Sequence, residues 1–255
     1  MEYYYLLNYL NSNLSLFIDD IILKKDYSLF FSDTDRREYW NSCFNFNLES
    51  VSLKKIEDEF YSRNLNPSFW ITDSDYKTRQ ILQNSSYINR KTDYWMILED
   101  KKKFQIDKLD IQKVINQKHI NDYMEVFFSE YNDKYLKYHK MLNDRLWSKS
   151  IQSYILYEDK VPVSIGSETE FDDIGLIQSL VTREEYRHKS YGYNVCRSII
   201  NDSNASKFFL RSDINGSGIK LYQNLGFKEL MRIGIFSKKK IKDLKFIQKM
   251  KYYRK

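Results

Sequence analysis

"REEYRHKSYGYNVCRSII", residues 183–200, gathers five basic side chains, several small residues and the start of a helix into one short stretch. Its left flank, "GLIQSLV" from Gly175 to Val181, reads as a strand. In the helix that follows, Tyr191, Val195 and Ile199 fall on one face at helical spacing. A strand, a basic turn and then an amphipathic helix is a common way to hold an anion. The first amides of a helix have no partner inside it, and its dipole favours negative charge there.

The order of elements around this stretch defines a fold class. Upstream lie three apolar runs separated by turns, "SYILYED", "VPVSIGSETEF" and "GLIQSLVT", preceded by helical patterns from Ile111 to Trp147. Downstream come a strand "KFFLRSD", a helix "GIKLYQNLG" and a strand "FKELMRIGIFS". This is an α+β order with a mixed, mostly antiparallel sheet flanked by helices. The first sixty residues show helical periodicity in patches; Leu53, Ile56 and Phe60, for example, share one face. "PSFWIT" then reads as a strand, "DYKTRQILQNSSY" as a helix and "DYWMILE" as a strand. The charged run from Glu99 to Asp110 is the best candidate for a domain junction.

An internal echo links the two halves. "FWITDSDYKTRQILQNSSY", Phe69 to Tyr87, lies over "FLRSDINGSGIKLYQNLGF", Phe209 to Phe227, at one constant offset without gaps. Phe69/Phe209, Asp73/Asp213, Gln83/Gln223 and Asn84/Asn224 are identical pairs, which favours a duplicated half. The polar positions of the second copy are lost in the first, where Leu82 stands opposite Tyr222 and Asp75 opposite Asn215.

Composition narrows the functional classes. A chain of 255 residues accommodates two small domains, and 42% hydrophobic content supplies real cores. The net charge of +6 suits an anionic ligand as readily as a nucleic acid. Cys43 and Cys196 alone give no disulfide framework and no zinc spacing, as expected of a cytoplasmic protein. The amino end carries acids and asparagines within its apolar stretch and does not read as a signal peptide. No window is long and apolar enough for a membrane span, so no membrane partner is expected.

Two stretches together resemble the GNAT superfamily of acetyl-CoA-dependent N-acetyltransferases. The first is the strand ending at Val181, followed by Arg187, His188, Lys189, Ser190, Tyr191 and Gly192, which fill the six positions of the family's main signature. The second is Asn215, Gly218, Tyr222 and Leu225-Gly226-Phe227. The resemblance spans about residues 110 to 237 and implies a tandem GNAT fold. Residues 1–105 would be a degenerate GNAT-like half, and residues 106–255 a working acetyltransferase domain. It further implies acetyl-CoA as co-substrate and a small-molecule or peptide amine as acceptor. The pyrophosphate would rest on the turn formed by Arg187, His188, Lys189, Ser190, Tyr191 and Gly192. The amide-bearing pantetheine arm would lie along Leu180 and Val181, as a peptide adds to a sheet edge. Asn215 would hold the cofactor or order the following turn. Tyr222 would protonate the departing thiolate, since a phenol of ordinary pKa near 10 can donate to a thiolate once that charge develops.

Ser190 departs from the family pattern, which has Gly at this position. A positive φ there would cost Ser about 1 kcal/mol, whereas as an N-cap its hydroxyl would be favoured. No general base transfers from the resemblance, because Leu210 occupies the position of a frequent glutamate. Glu168 and Glu170 alternate on one strand face and are candidates, against the plainer expectation of exposed strand carboxylates; Glu130 is a weaker one. His119, His139 and His188 do not cluster at metal-ligand spacing, and no metal is implied. Cys196 reads as core packing. The tail from Lys238 holds nine basic residues among aromatics, and a solvated segment docking on its own domain is the plainer reading. Two alternatives remain open. One is a non-catalytic CoA-binding or regulatory module. The other is an acyltransferase that engages tRNA or another nucleic acid through the tail, although a nucleic acid partner is not expected.

Overall fold

The computed structural model describes residues 2–12, 17–33, 35–129, 139–147, 150–214, 216 and 218–238. In chain order the amino half contains α1 (Glu2–Ser12), β1 (Asp20–Leu23), β2 (Ser28–Phe31), β3 (Ser42–Phe44), α2 (Leu53–Ser62), β4 (Ser68–Thr72), α3 (Tyr76–Asn84) and β5 (Tyr87–Leu98). There follow β6 (Asp110–Lys113), α4 (Gln117–Ser129), α5 (His139–Leu146), β7 (Ile151–Glu158), β8 (Val161–Phe171) and β9 (Ile174–Thr182). The chain continues through α6 (Tyr191–Asp202), β10 (Lys207–Asp213), α7 (Gly218–Asn224) and β11 (Lys228–Lys238). Two compact units result, one from the described residues of 1–16 and 94–230, the other from those of 17–93 and 231–238.

The smaller unit arranges its strands in the order β1-β2-β3-β4-β11-β5. β1 with β2, β2 with β3 and β4 with β11 pair antiparallel, and β3 with β4 parallel. Ile56 and Phe60 of α2 are buried against Phe31, Phe69, Leu82 and Phe236, as the helical spacing requires. The residues of β1 to β3, where helical patches were expected, are strands instead. Segments of three or four residues are too short to display a period of two, and neighbouring strands decide their state.

The larger unit orders its strands β5-β10-β9-β8-β7-β6. Antiparallel pairing joins β6 through β9, while β10 runs parallel to β9. The segment Asp110–Lys113, expected from Ile111 on as the start of a helix, is strand β6, because its four residues pair with Tyr154–Tyr157 of β7. Helix α6 covers one sheet face so closely that a Cβ on Gly166 would meet Ile199, Leu180 and Val195 side chains at 2.9–3.0 Å. On the opposite face Tyr123 of α4 shares a 2.6 Å hydrogen bond with Ser167. Helix α1 packs Tyr5 edge-on to Phe209 and Tyr9 edge-on to Trp95.

The sequence echo is carried by real elements: β4, α3 and β5 fall on β10, α7 and β11 at the same offset. The two copies exchange their last strands. β4 pairs with β11 from Thr72↔Ile233 to Ser68↔Ser237, and β10 has β5 as its neighbour. The division into two units is interleaved along the chain, because strand pairing follows the exchanged partners.

The charged run after Glu99 is a strap along α6. The Lys101 amide donates to Ser206 O at 2.8 Å, and Asn194 Nδ2 donates to Asp107 at 3.1 Å. Between them, Asn201 accepts from the Phe104 amide at 2.9 Å and donates to the Phe104 carbonyl at 2.8 Å. One side chain thus satisfies both main-chain groups of a half-buried residue. Asn201→Ala is expected to cost about 1–2 kcal/mol in denaturant unfolding and to speed hydrogen exchange at the Phe104 amide. Unchanged exchange there would show that the strap is held without it.

Candidate functional site

The site begins where two parallel strands stop pairing. β9 and β10 are in register over Ile174–Ile177 and Lys207–Leu210 only. Beyond that, Gln178–Thr182 and Arg211–Asp213 continue as strands without pairing to one another. A bulge sits at the divergence: Ser167 pairs with Gln178 and Ile165 with Val181, so Ser179 and Leu180 together oppose Gly166. Ser179 takes a left-handed φ of +56°. Leu180 and Val181 occupy the diverging end of β9, both half-buried.

The end of β9 is pinned from β8. Ser164, fully buried, donates to Val181 O at 3.1 Å and shares a 2.8 Å bond with Thr182 Oγ1. The chain then makes a short 3-10 turn at Glu184–Tyr186 and enters α6 through His188 and Ser190, at φ +65° and +62°. Ser190 makes no side-chain cap, so the N-cap role its residue type allows is not realised. Asn194, buried, holds the turn by donating from its amide nitrogen to Ser190 O at 3.1 Å, in parallel with its own main-chain bond to that carbonyl. The amides of Tyr191, Gly192 and Tyr193, which precede this first bond, have no partner within the helix.

The side chains of the turn are already engaged. Arg187 Nε donates to Thr182 O at 3.3 Å. Lys189 lies 3.2 Å from both oxygens of Glu158, and the Tyr191 hydroxyl donates to the same carboxylate. That bond raises the Tyr191 phenol to about 12, and it is the first cause holding Glu158 below its ordinary value. His188 is exposed.

The second sequence motif meets the first. A Cβ on Gly192 would lie 3.2 Å from Thr182 Oγ1 and 3.7 Å from Leu221 Cδ1, which places the first turn of α6 over the end of β9 and against α7. Tyr222, next along α7, is buried, with its ring edge-on to Phe227. A Cβ on Gly218 would come within 3.0 Å of the Tyr222 ring, so the small residue makes room for it. Burial, and then the neighbouring Cys196, push the Tyr222 phenol well up, so it stays protonated. Cys196 is fully buried, and burial likewise raises its thiol. Asn215 lies outside the described residues, as do Glu130 and the tail beyond Lys238.

The other base candidates are elsewhere. Glu168 and Glu170 face Ser203, at the opposite end of α6 from the turn. Glu168 is only 1% exposed, so it is no solvated strand carboxylate. Sequence reasoning missed Ser164, Glu158 and Asn194. Ser164 alternates with Gly166 and Glu168 on the α6 face of β8, a signal visible only once that face is known. Among the described residues no group of three or more His, Cys, Asp and Glu is arranged to hold a metal. No described helix is long and apolar enough to cross a membrane.

Ser190 supplies a direct test of the turn geometry. Replacing it by Gly relieves a left-handed residue that lacks a compensating cap. Ser190→Gly is expected to raise stability by up to about 1 kcal/mol in thermal or denaturant unfolding. A loss of stability would mean that the turn has another conformation.

No family model and no curated protein matches this sequence. Solved structures do. A GCN5-related N-acetyltransferase from Kribbella flavida superposes with a TM-score of 0.67 at 12% identity, over 87% of this chain and 90% of that one. One from Sphaerobacter thermophilus gives 0.63 at 12% identity, over 86% and 82%. A tandem GNAT protein from the clavulanic acid biosynthesis pathway gives 0.60 at 9% identity, over 83% and 77%. With mixed α+β units, a strand pair that diverges and a basic turn opening the following helix, the chain has the fold of the GCN5-related N-acetyltransferases.

Proposed function

We propose that this protein is a cytoplasmic N-acetyltransferase that moves the acetyl group of acetyl-CoA to a primary amine of a small molecule or peptide. The observation that carries this reading is the opening between β9 and β10 beside the uncapped start of α6. Main-chain groups along Leu180 and Val181 have no strand partner on the β10 side, and they suit the amides of a pantetheine arm. The first amides of α6 suit the pyrophosphate, with Arg187, His188 and Lys189 adding positive charge and Gly192 allowing close approach. Asn215 is proposed to order the segment leading into α7. The smaller unit is proposed as a degenerate counterpart without such a turn.

Transfer takes place with both substrates bound. The amine nitrogen attacks the thioester carbonyl, the carbon–sulfur bond breaks, and the electron pair leaves on sulfur. Tyr222, kept protonated by burial, acts as general acid and gives its proton to the departing thiolate. The proton shed by the acylated nitrogen restores the phenol, so the products are the amide and free CoA. Holding both reactants in one complex supplies much of the acceleration, and no covalent enzyme intermediate is required.

Tyr222→Phe is expected to lower turnover by roughly 100-fold while leaving acetyl-CoA affinity nearly unchanged. A normal rate, measured as thiol release, removes Tyr222 from the mechanism. Gly192→Glu is expected to abolish acetyl-CoA binding in calorimetry, because it puts bulk and negative charge against Thr182 and Leu221 where the phosphates would sit. Retained affinity would mean that the turn is not the anion site. Saturable acetyl-CoA binding with no thiol release across a broad amine panel would instead make the chain a binding module.

A further inference from the structure

At the far end of α6 from the turn, a buried carboxyl sits in a slot made for it. Glu168 projects from β8 beneath Ser203, the C-cap residue of α6. The slot exists because residue 175 has no side chain: a Cβ on Gly175 would lie 2.2 Å from Glu168 Oε1. Ser203 Oγ lies 2.5 Å from Glu168 Oε1 and 2.8 Å from Glu170 Oε1, and it also accepts from the Ala205 amide at 3.0 Å.

Counting protons decides the state of this group. A serine hydroxyl has one hydrogen to give. Two ionised carboxylates around it would leave one of the two short oxygen–oxygen contacts with no proton between the atoms. One of the carboxyls therefore carries its own proton. Glu170 also accepts from the Asn204 amide at 2.8 Å and is partly open to solvent. Glu168 is buried, and its second oxygen, Oε2, has no hydrogen-bond partner among the described residues. An ionised carboxylate in that position would be heavily penalised.

The surroundings agree. Glu170 on β8 and Asp202 on α6 are acidic neighbours, and the last carbonyls of α6 add negative potential. Tyr154 of β7 and Cys196 of α6 are neutral neighbours. Phe208 of β10 adds an apolar wall at Gly175. Lys101 of the strap is the opposing cation, and its ammonium is bound to the Ser203 carbonyl.

We propose that Glu168 is a neutral carboxylic acid in the folded protein, donating its proton to Ser203 Oγ while Ser203 donates to Glu170. This relay latches the end of α6 to β8, and it opens when Glu168 loses its proton. Burial is the largest cause that raises Glu168, to about 7, with Glu170 and Asp202 adding to it and Ser203 and Lys101 opposing it. The folded chain thus binds a proton that the unfolded chain, with an ordinary value of 4.5, has released. The stabilisation is complete below 4.5, declines above it and is lost as pH rises through about 7.

Thermal unfolding of the full chain and of Glu168→Gln, from about pH 5 to about pH 9, tests this. The wild type is expected to lose several degrees of Tm across neutrality. In the variant the amide donates to Ser203 with no proton to lose, so this component of the decline is absent and the variant is the more stable at the alkaline end. Parallel profiles would overturn the proposal. Infrared spectroscopy of the wild type decides the matter even if the variant fails to fold. A protonated-carboxyl band present on the acid side of neutrality and lost on the alkaline side is expected, and its absence at both would overturn the assignment.

Discussion

Everything at the candidate site follows from a main-chain conflict between β9 and β10. Parallel strands that pair for four residues would normally go on pairing, because each unpaired amide or carbonyl away from water carries a cost. Here the bulge at Ser179 and Leu180 turns β9 aside, while Ser164 and the Arg183 amide, which donates to Val163 O at 3.0 Å, tie its end to β8. β9 cannot serve both neighbours beyond Ile177. The gap left on the β10 side is a row of backbone groups of β9 without a strand partner in β10. The turn into α6 then sets the uncapped start of that helix beside the gap, and Gly192 lets α7 approach it at Leu221.

Much of this was legible in the sequence because it depends on residue types at fixed spacing. The three antiparallel runs, the basic turn and the pair Gly192 and Tyr222 each belong to a local pattern, and the local pattern survives in the fold. The echo of Phe69–Tyr87 in Phe209–Phe227 located strand, helix and strand in both copies. What could not be read is what depends on partners distant in the chain. β6 is a strand because β7 is beside it, and no pattern in four residues announces that. The exchange of β5 and β11 leaves no trace in either strand, since each is apolar enough to lie in either place. Glu168 and Ser190 are the sharper cases. A glutamate in a strand has an ordinary reading that only the slot at Gly175 contradicts, and of the two readings open to Ser190, cap or positive φ, only the backbone decides.

Helix α6 is polar along the side that meets the strap, and those polar groups make it a positioned rod. Asn194 holds Ser190 and Asp107, Asn201 holds Phe104, and Ser203 bridges Glu168 and Glu170. On its other side Val195 and Ile199 are fully buried against the sheet. Apolar packing alone permits small slides along the helix axis, because it has no direction. Hydrogen bonds at the start, middle and end do not, and they fix where the first amides of α6 point.

The two units differ at the start of a comparable helix. Each contains a strand, a helix and a parallel strand: β3, α2 and β4 in the smaller unit, β9, α6 and β10 in the larger. Each helix is preceded by a serine. Ser52, in extended backbone at φ −71° and ψ 141°, turns its hydroxyl in to accept from the Lys55 amide at 3.3 Å. Ser190, left-handed at φ +62° and ψ 15°, cannot, and caps nothing. The same residue type thus caps one helix start and not the other. A side-chain cap satisfies one of the free donors at a helix start, and the start of α6 lacks that bond. The left-handed backbone of Ser190 is held from behind by Asn194, which donates to the Ser190 carbonyl.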